Sequence, residues 1–410
     1  MMFDTMSSLV ADPFDLAQWT DGPPHDLFRR MRAEAPVHRT PLADGTHCWS
    51  VVSHAEIAAI SRDTATFSSE QGGVFLHPDQ VVPLEVATNM LLYMDPPRHT
   101  HYRLILQKVF TPHAVAKLED GIRARVTRAI DAFIEDGACD LVTALTVPVP
   151  LGVLTELMGV PDVDVPQFFD WTERIVAAQG APEPAAAAPV LAEMAPYLHA
   201  QIERQMADGN AESIVMRLRT GEVKGEELNE LEILTFFAVL TFAGNDTTRN
   251  TASNGLLALL EHPGLLDELA ADPTLIPGAV EEALRWSTVV QWFNRTVTTD
   301  TELGGHAIPA GDRVVMWYAS GSRDETVFDA PDTFDIRRHK PDHQAFGGGG
   351  RHFCLGAGLA RAELRIVLEE VTQRMKNLEL AGDVERLPSN WANGLTRLPV
   401  TFTPGPREAS

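Results

Sequence analysis

The stretch Phe346–Gly358, with the sequence FGGGGRHFCLGAG, guides the interpretation of the whole chain. Four consecutive glycines come shortly before Cys354, and an amphipathic helical pattern begins directly after it. Glycines let backbone N–H groups approach a buried anion, and a helix N-terminus contributes about half a positive charge. We therefore expect a cysteine at this junction to have a lowered pKa and to act as a thiolate.

Two other interpretations compete for this stretch. A phosphate-binding loop does not fit, because neither GxGxxG nor GxxxxGK[ST] can be laid over these glycines. A tight turn with a buried free cysteine fits as well as a thiolate does, because free Cys is among the most buried residue types. The residues alone leave the turn and the thiolate as open alternatives.

The composition is that of a globular chain, with 410 residues, of which 44% are hydrophobic and 22% charged. The 33 basic and 57 acidic residues give a net charge of −24. Phosphate backbones and anionic membrane surfaces repel so acidic a chain, and we expect no nucleic-acid partner. The strongest candidate for a membrane span, Ile233–Gly244, is shorter than the ~20 apolar residues that a bilayer requires.

Cysteine usage and the N-terminus favour a cytoplasmic protein. Cys48, Cys139 and Cys354 lie far apart, and an odd number of cysteines argues against a disulfide framework. The opening MMFDTMSSLVADPFDL lacks a basic segment followed by an apolar block, so we expect no secretory signal.

Helical periodicity dominates the chain. Apolar residues recur at three- and four-residue spacing within 120–135, 227–262, 277–286 and 359–375. Strand patterns are shorter and cover 47–53, 293–297, 313–318 and 400–402. Because strands and helices do not alternate regularly, a parallel doubly wound sheet is disfavoured. We expect a mainly α fold with a small β portion, formed by residues 1–410 as a single domain.

A polar segment interrupts the helix predicted over 227–262. Gly244 leads directly into NDTTRN (245–250), and glycine and threonine both weaken a helix interior. These residues predict a distorted turn whose carboxylate and hydroxyls relay protons or order water. A helix that passes from core to surface, with Asp246 and Arg249 as an i,i+3 ion pair, explains them too.

Two further groups are weak signals by themselves. Glu282 and Arg285 form an i,i+3 pair of the kind usually found on a solvated helix surface. The segment MDPPRHTHYR (94–103) predicts a helix that places His99 and Arg103 on one face, where they could bind an anion.

Together and in this order, these segments resemble a cytochrome P-450, a haem-thiolate monooxygenase. The resemblance spans residues 95–358. It implies a single-domain cytochrome P-450 fold, with haem b between a long distal helix and a proximal loop and helix that carry Cys354. It also implies that Cys354 is the axial ligand of the haem iron, where a thiolate favours O–O cleavage.

The same resemblance implies two functional pairs. The family's acid–alcohol pair matches Asp246 and Thr247, which would supply protons for dioxygen chemistry. The family's ExxR pair matches Glu282 and Arg285, which would brace the proximal side together with an arginine of FDAPDTFDIRR (328–338). We expect that arginine to be Arg338, although Arg337 is adjacent.

The remaining cofactor residues follow from the signature around the cysteine and from the anionic propionates of haem. Gly350 and Gly356 match fixed positions of the signature, whereas Phe346 lies eight residues before Cys354 instead of seven, and Gly347 holds the expected place. The propionates call for basic partners in charge-assisted contacts. The matching positions are His99, Arg103, Arg295 and His352.

The shifted spacing resembles a branch of bacterial members that act on sterol side chains, methyl-branched lipids and terpenoids. GNDTTRN (244–250) and SNWANG (389–394) are also similar to that branch. A lipophilic substrate would be bound largely by burial, at ~25 cal/mol per Å². Core packing explains any single pocket residue equally well. The predicted pocket consists of Val74, Phe75, Leu76, Val239, Ala243, Val289, Val290, Trp292, Phe293 and Trp391.

The implied reaction inserts one atom of O2 into an unactivated C–H bond and reduces the other to water. No flavin- or nicotinamide-binding module is recognisable, so we expect electrons from a ferredoxin with its ferredoxin reductase. A basic patch involving Lys108 and Arg361 would suit an acidic ferredoxin.

Two alternatives remain open. A peroxide-driven peroxygenase needs no redox partner, but such members tend to lack the acid–alcohol pair. A non-catalytic haem or lipid carrier would need no proton delivery.

Overall fold

The computed structural model describes residues 12–77, 79–179, 184–339 and 341–408, so the first eleven residues of the N-terminal segment considered above lie outside it. About half of the chain is helical and the strands are short, which confirms the mainly α fold with a small β portion. The helices are α1 (His25–Glu34), α2 (His54–Arg62), α3 (Leu84–Ala87), α4 (Arg98–Gln107), α5 (Pro112–Asp131), α6 (Pro148–Met158), α7 (Val165–Gln179), α8 (Ala188–Ala207), α9 (Ile214–Arg219), α10 (Glu230–Glu261), α11 (Leu265–Ala271), α12 (Ile276–Ser287), α13 (Tyr318–Gly321) and α14 (Ala357–Arg374).

The strands form five small sheets within the described residues. The five-stranded sheet has the order β1-β2-β10-β7-β3, in which only β2 and β10 pair in parallel. The strands are β1 (Val37–Pro41), β2 (His47–Val51), β3 (Phe67–Ser68), β4 (Ala138–Asp140), β5 (Glu222–Val223), β6 (Glu226–Glu227), β7 (Trp292–Val297), β8 (Thr301–Leu303), β9 (His306–Ile308), β10 (Arg313–Trp317), β11 (Lys376–Leu380), β12 (Glu385–Arg386), β13 (Leu395–Arg397) and β14 (Pro399–Thr403).

The periodic segments of the sequence coincide with these elements. The helices predicted over 227–262, 277–286 and 359–375 are found as α10, α12 and α14. The helix predicted over 120–135 is part of α5, which begins earlier and ends at Asp131.

Helix α10 connects the two main hydrophobic cores. Its start is capped by Asn229, whose side chain accepts from the Glu232 N–H while the Glu232 carboxylate accepts from the Asn229 N–H. Its first half packs into one core and its second half into the other, so the polar segment 244–251 lies where the two cores meet.

The distorted turn predicted in this segment is absent, because α10 is helical throughout. Thr247 and Thr251 donate to the carbonyls of Ala243 and Thr247 at 2.8 Å, and these bonds satisfy the hydroxyls without breaking the helix. The segment does not reach the surface either, since residues 248–254 are buried.

Strand β7 pairs with β10 from Trp292↔Trp317 to Thr296↔Arg313. Its side chains alternate between the two faces of the sheet. This alternation decides which residues of β7 reach the site described below. None of the helices in the described ranges is both long enough and apolar enough to cross a membrane.

Candidate active site

A cavity of about 260 Å³ lies between the middle of α10 and the loop that carries Cys354. Helices α6, α10 and α12 contribute mostly apolar residues to its wall, whereas α4, β7 and the Cys354 loop contribute the basic ones. The sequence motifs therefore converge on one space, although His99 and Cys354 are 255 positions apart in the chain.

Cys354 opens onto this cavity and is a free cysteine. Its backbone N–H donates to the carbonyl of Phe346 at 3.1 Å, which closes the glycine loop just before α14 begins. Removal from bulk water raises the pKa of the Cys354 thiol above its ordinary value, although the Gly356 N–H, Arg103 and Arg361 act in the opposite direction. In the polypeptide alone, desolvation thus opposes the lowering of this pKa expected from the loop and the helix start.

The glycine loop packs directly on α2. Gly350 has φ +74°, and a Cβ placed on it would lie 2.1 Å from the carbonyl oxygen of Ser61. A Cβ on Gly348 would lie 2.4 Å from the Ser61 Oγ. Only glycine allows so close an approach of two backbones, and this packing fixes the position of Cys354.

The structure places His99, Arg103, Arg295 and His352 in the wall of the cavity. The rings of His99 and His352 lie 4.2 Å apart, and His352 also contacts the Ser69 hydroxyl at 3.2 Å. Within the described residues, none of the four has a carboxylate partner.

Burial dominates the pKa of each of these groups. It lowers the pKa of His99 to about 4 and lowers that of His352 well below the ordinary value, with Arg295 as a further cause for His352. Burial also lowers the pKa of Arg103 and of Arg295. A buried guanidinium group (Arg295) and a half-buried one (Arg103) are costly without a counter-ion, so an anion beside them would be stabilising.

These residues fit the haem that the resemblance implies. The basic groups offer partners to two propionates, and the Nδ1 atom of His99 has no hydrogen-bond partner. A Cβ on Gly356, which lines the cavity, would meet nothing within 4 Å, so the backbone leaves room for a flat group there. The described residues hold no cluster of three potential metal ligands.

Phe346 also lines the cavity. Its ring lies beneath the Arg361 guanidinium, 4.6 Å away, and 6.0 Å from the ring of Phe353. Although one extra residue separates Phe346 from Cys354, the phenylalanine still lies at the cavity wall. Gly347 lines the cavity as well.

Asp246 and Thr247 lie on different sides of α10. Thr247 lines the cavity, whereas Asp246 is fully buried outside it and accepts from Arg249 at 2.8 Å. The same Arg249 nitrogen donates to Glu173 on α7 at 2.6 Å. Burial raises the pKa of Asp246, although Arg249 opposes this effect, and the Asp246 Oδ2 has no partner.

Glu282 and Arg285 form a fully buried bidentate pair, with contacts of 2.6 and 2.8 Å. Arg338 approaches Glu282 at 3.2 Å, whereas Arg337 pairs with Glu268 at the surface. The structure thus places the predicted arginine on Glu282. The Arg285 guanidinium also donates to the carbonyls of Ser322, Pro331 and Thr333.

Most of the predicted pocket residues reach the cavity wall. Phe75 instead lines a smaller side cavity of about 50 Å³, which shares Leu92, Val239, Phe242, Phe293 and Trp391 with the main one. The residues that line the main cavity as predicted are Val74, Val239, Ala243, Val289, Val290, Phe293 and Trp391.

Two predicted pocket residues belong to neither cavity. Trp292 precedes Phe293 on β7 and points to the opposite face, where it packs against Phe14 and Trp317. Leu76 is buried in the hydrophobic core. For both, core packing is the correct interpretation.

Sequence reasoning missed several residues that line the cavity. Leu154 and Leu157 come from α6, whose apolar sequence does not distinguish a cavity wall from a core. Glu363 on α14 is buried and also lines the cavity. The sequence pattern indicates the opposite for Glu363, because acidic residues of an amphipathic helix are expected on its solvated face.

The basic patch predicted around Lys108 and Arg361 needs a correction. Arg361 is bound to Glu281 at 2.5 and 3.0 Å, so its charge is neutralised. Lys108 is exposed without an ion pair. Arg62 and Arg351 flank the glycine loop and are exposed and unpaired as well, within the part of the chain that the structure describes.

Comparison with known proteins gives consistent matches. A family model described as "Cytochrome P450" matches residues 187–403. The methyl-branched lipid omega-hydroxylase of Mycobacterium tuberculosis is 36% identical over 390 residues, covering 92% of this chain and 90% of the relative. The linalool 8-monooxygenase of Pseudomonas putida is 35% identical over 397 residues, covering 94% and 97%. A Mycobacterium marinum cytochrome P450 solved in complex with pseudoionone superposes with a TM-score of 0.87 and 33% identity, covering 98% and 99%.

Proposed function

Because the chain belongs to the cytochrome P450 family, we propose that it hydroxylates an unactivated C–H bond of a lipophilic small molecule of the terpenoid, sterol or fatty-acyl type. Membership makes it a haem-dependent monooxygenase that works with O2, a lipophilic substrate and redox partners. We assign residues 1–410 to one monooxygenase domain, because residues from Ser61 to Trp391 line a single cavity.

The observation that carries the proposal is that Cys354, four basic side chains and an apolar wall share one cavity. Bound haem supplies the activation of dioxygen. Cys354 would ligate its iron, and His99, Arg103, Arg295 and His352 would hold its propionates. The apolar residues would bind substrate by burial and exclude water from the reacting centre.

Thr247 would hold a proton at the cavity wall. Its hydroxyl hydrogen points to the carbonyl of Ala243 at 2.8 Å, so its oxygen lone pairs are free to accept from water or substrate. Asp246 would act behind it, since its carboxylate connects through Arg249 to Glu173, whose side chain is 46% exposed.

The substrate class follows from the wall and from the relatives. Val239, Ala243 and Phe293 offer only apolar surface, and the side cavity extends this surface past Trp391. The relatives named above act on a methyl-branched lipid and on linalool. These observations support a neutral hydrocarbon framework with few polar groups.

Electrons would come from an external ferredoxin and its reductase. Arg62, Arg351 and Lys108 are exposed cations on a chain of net charge −24, and the first two flank the loop that carries Cys354. Complementary charge steers an acidic partner to this face.

The proposal is tested first by the absorption spectrum of the reduced protein with carbon monoxide. A strongly red-shifted Soret band is expected for wild type and is expected to be lost in Cys354→Ser. Methyl-branched fatty acids, linalool and sterols are then screened for spin-state shifts. Ligands that bind are turned over with a surrogate ferredoxin system or with peroxide alone. Product from peroxide alone, with none from the ferredoxin system, would contradict the proposed electron source.

A further inference from the structure

Two polar side chains in the wall of the side cavity have no hydrogen-bond partner. Trp391 is 4% exposed, and its buried Nε1 atom is unpartnered. Tyr93 is 3% exposed, and no hydrogen bond to its hydroxyl occurs within the described residues. Both side chains line the side cavity. Buried donors in proteins are normally bonded to an acceptor, so these two groups indicate that an acceptor atom of a ligand belongs here.

Tyr93 is held firmly by its neighbours. It ends a single turn of 3-10 helix, Leu91–Tyr93, shortly before α4. A Cβ placed on Gly73, which has φ +81°, would lie 2.5 Å from the Cε1 atom of Tyr93, so the glycine backbone packs against the edge of the ring. The Asn294 side chain of β7 donates to the Gly73 carbonyl at 3.3 Å. A ring held in this way loses little freedom when its hydroxyl binds a ligand.

The Tyr93 hydroxyl is a neutral donor. Burial is the sole cause that raises the pKa of Tyr93 above its ordinary value, so the hydroxyl keeps its proton at neutral pH. The described residues in the wall of the side cavity carry no charge. A carboxylate placed there would lose its water without gaining a cation, which is costly, whereas a neutral oxygen needs only a donor.

The size of the side cavity limits what can enter it. A cavity needs about 10–15 Å³ to hold one water molecule. The side cavity, with about 50 Å³, therefore has room for an end group of a few atoms but not for a terpenoid or sterol framework. The main cavity, with about 260 Å³, has to hold that framework.

The side cavity is set apart from the cysteine. It shares five wall residues with the main cavity, but no described residue of the Cys354 loop or of α14 lines it. A molecule that occupies both cavities would thus have its end group in the side cavity and its hydrocarbon part beside Thr247 and Cys354.

We propose that the side cavity is the subsite for one neutral oxygen of the substrate, an alcohol or a ketone, which accepts a hydrogen bond from the Tyr93 hydroxyl. The indole N–H of Trp391 is a second donor in the same subsite. This inference rests on the proposed function and narrows its substrate class to neutral oxygenated lipids and terpenoids, oxidised at a C–H bond remote from that oxygen. Tyr93 determines specificity and takes no part in the chemical step.

The first test compares three ligands with one carbon skeleton. Geraniol carries an alcohol, geranic acid a carboxylate and 2,6-dimethylocta-2,6-diene no oxygen. In the haem-loaded wild type at neutral pH, the spin-state shift should show the tightest binding for geraniol. Tyr93→Phe should weaken geraniol binding about 2- to 12-fold, the range for one net hydrogen bond, and leave the hydrocarbon's affinity unchanged.

Tyr197→Phe is the matched control for this test. The Tyr197 hydroxyl donates to Asp164 at 2.7 Å, and Tyr197 lines neither cavity. Its variant should bind all three ligands as wild type does. Thermal unfolding separates a structural role from recognition, because Tyr93→Phe removes a hydroxyl with no protein partner and should not lower the melting temperature.

The second test observes the hydrogen bond without turnover. Geranylacetone, labelled with ¹³C at its ketone, is bound to the haem-loaded protein and its C=O stretch is recorded by infrared spectroscopy. The band should lie at lower wavenumber in wild type and in Tyr197→Phe than in Tyr93→Phe. Trp391→Phe keeps an aromatic ring and loses only the second donor, so it should raise the wavenumber as well and serves if Tyr93→Phe does not fold.

The outcomes distinguish this subsite from the proposed function. If wild type binds geraniol no more tightly than the hydrocarbon or geranic acid, or if the ketone band is the same in wild type and Tyr93→Phe, the subsite is overturned and the monooxygenase proposal stands. If the binding pattern is as expected but wild type forms no product from any ligand screened, the proposed function is refuted instead.

Discussion

Thr247 and Asp246 are adjacent residues with separate surroundings. Successive residues of an α-helix differ by about 100° in direction, so only Thr247 reaches the cavity, while Asp246 faces α7 through Arg249. In the proposed mechanism the hydroxyl would therefore serve the reacting centre, and the carboxylate would connect it to the surface. The two members of the predicted acid–alcohol pair are thus neighbours in sequence whose side chains lie on different sides of α10.

Replacing Thr247 by Ala should lower the product formed per electron pair and leave substrate affinity unchanged, because the cavity keeps its apolar wall but loses a hydroxyl. Thr247→Ser keeps the hydroxyl and should restore most of the yield. The measurement is NADH consumed against product formed with the surrogate ferredoxin system. A fully coupled Thr247→Ala enzyme would contradict the role given to this residue.

Replacing Glu282 by Ala should destabilise the protein by about 3–5 kcal/mol, because it leaves the fully buried Arg285 without its carboxylate. Arg337→Ala is the matched control. It removes a surface pair in which the arginine is 55% exposed, and such pairs contribute about 0–1 kcal/mol. Urea unfolding of the haem-loaded proteins measures the difference, and equal losses in both variants would refute this distinction.

At the level of single residues, the sequence was sufficient where a motif fixes both residue type and spacing. The resemblance to the family singled out Cys354 and the four basic residues, and all five line one cavity. The sequence could not assign Leu76 and Trp292 to the core or to the pocket, since an apolar side chain suits both equally. Glu363 was overlooked, because an acid on an amphipathic helix is normally solvated.

The glycine loop and α2 behave as one packed unit. The loop passes so close to Ser61 that two glycines, Gly348 and Gly350, have no space for a side chain. Motif spacing predicts that Gly350 is needed, but not that α2 is its partner, because the contact spans almost three hundred residues of chain. Helices with long periodic patterns could be predicted, because the spacing of their apolar residues is a local property of the sequence.

Replacing Gly350 by Ala should destabilise the protein by at least about 2 kcal/mol and weaken haem retention, because a left-handed backbone strain of about 1–2 kcal/mol adds to a clash with the Ser61 carbonyl. Gly311→Ala measures the backbone strain alone, since Gly311 has φ +92° and a Cβ placed on it would meet nothing within 4 Å. Thermal unfolding and haem transfer to apomyoglobin measure both effects. Equal effects at the two positions would contradict the packing argument.

Across the whole molecule, charge is distributed unevenly. The net charge is −24, and many arginines in the described residues are held in ion pairs, yet Arg62 and Arg351 beside the Cys354 loop are exposed and unpaired. The net charge of the whole chain does not determine the charge of this local face. A small basic surface on an acidic chain can orient an acidic partner while the rest of the molecule repels it.

Charge reversal at Arg62 or Arg351 should slow reduction by an acidic ferredoxin, and the difference from wild type should shrink as ionic strength rises, because the Debye length is ~10 Å at 0.1 M. Lys376→Glu is the control, since Lys376 is exposed beyond the far end of α14, roughly 27 Å from the loop. Stopped-flow reduction measures the rates. Salt-independent slowing, or equal slowing in the control, would count against this face.

Strand β7 carries Phe293 and Arg295 on one face, so a single strand supplies both the apolar wall and one of the basic groups. Because side chains alternate along a strand, inserting or deleting one residue in β7 would rotate both away together. The hairpin of β8 and β9 follows directly and has two glycines at its tip, of which Gly305 is exposed. Natural variation in chain length should therefore be absent from Trp292–Val297 and concentrated around Gly305, where a side chain would meet nothing within 4 Å.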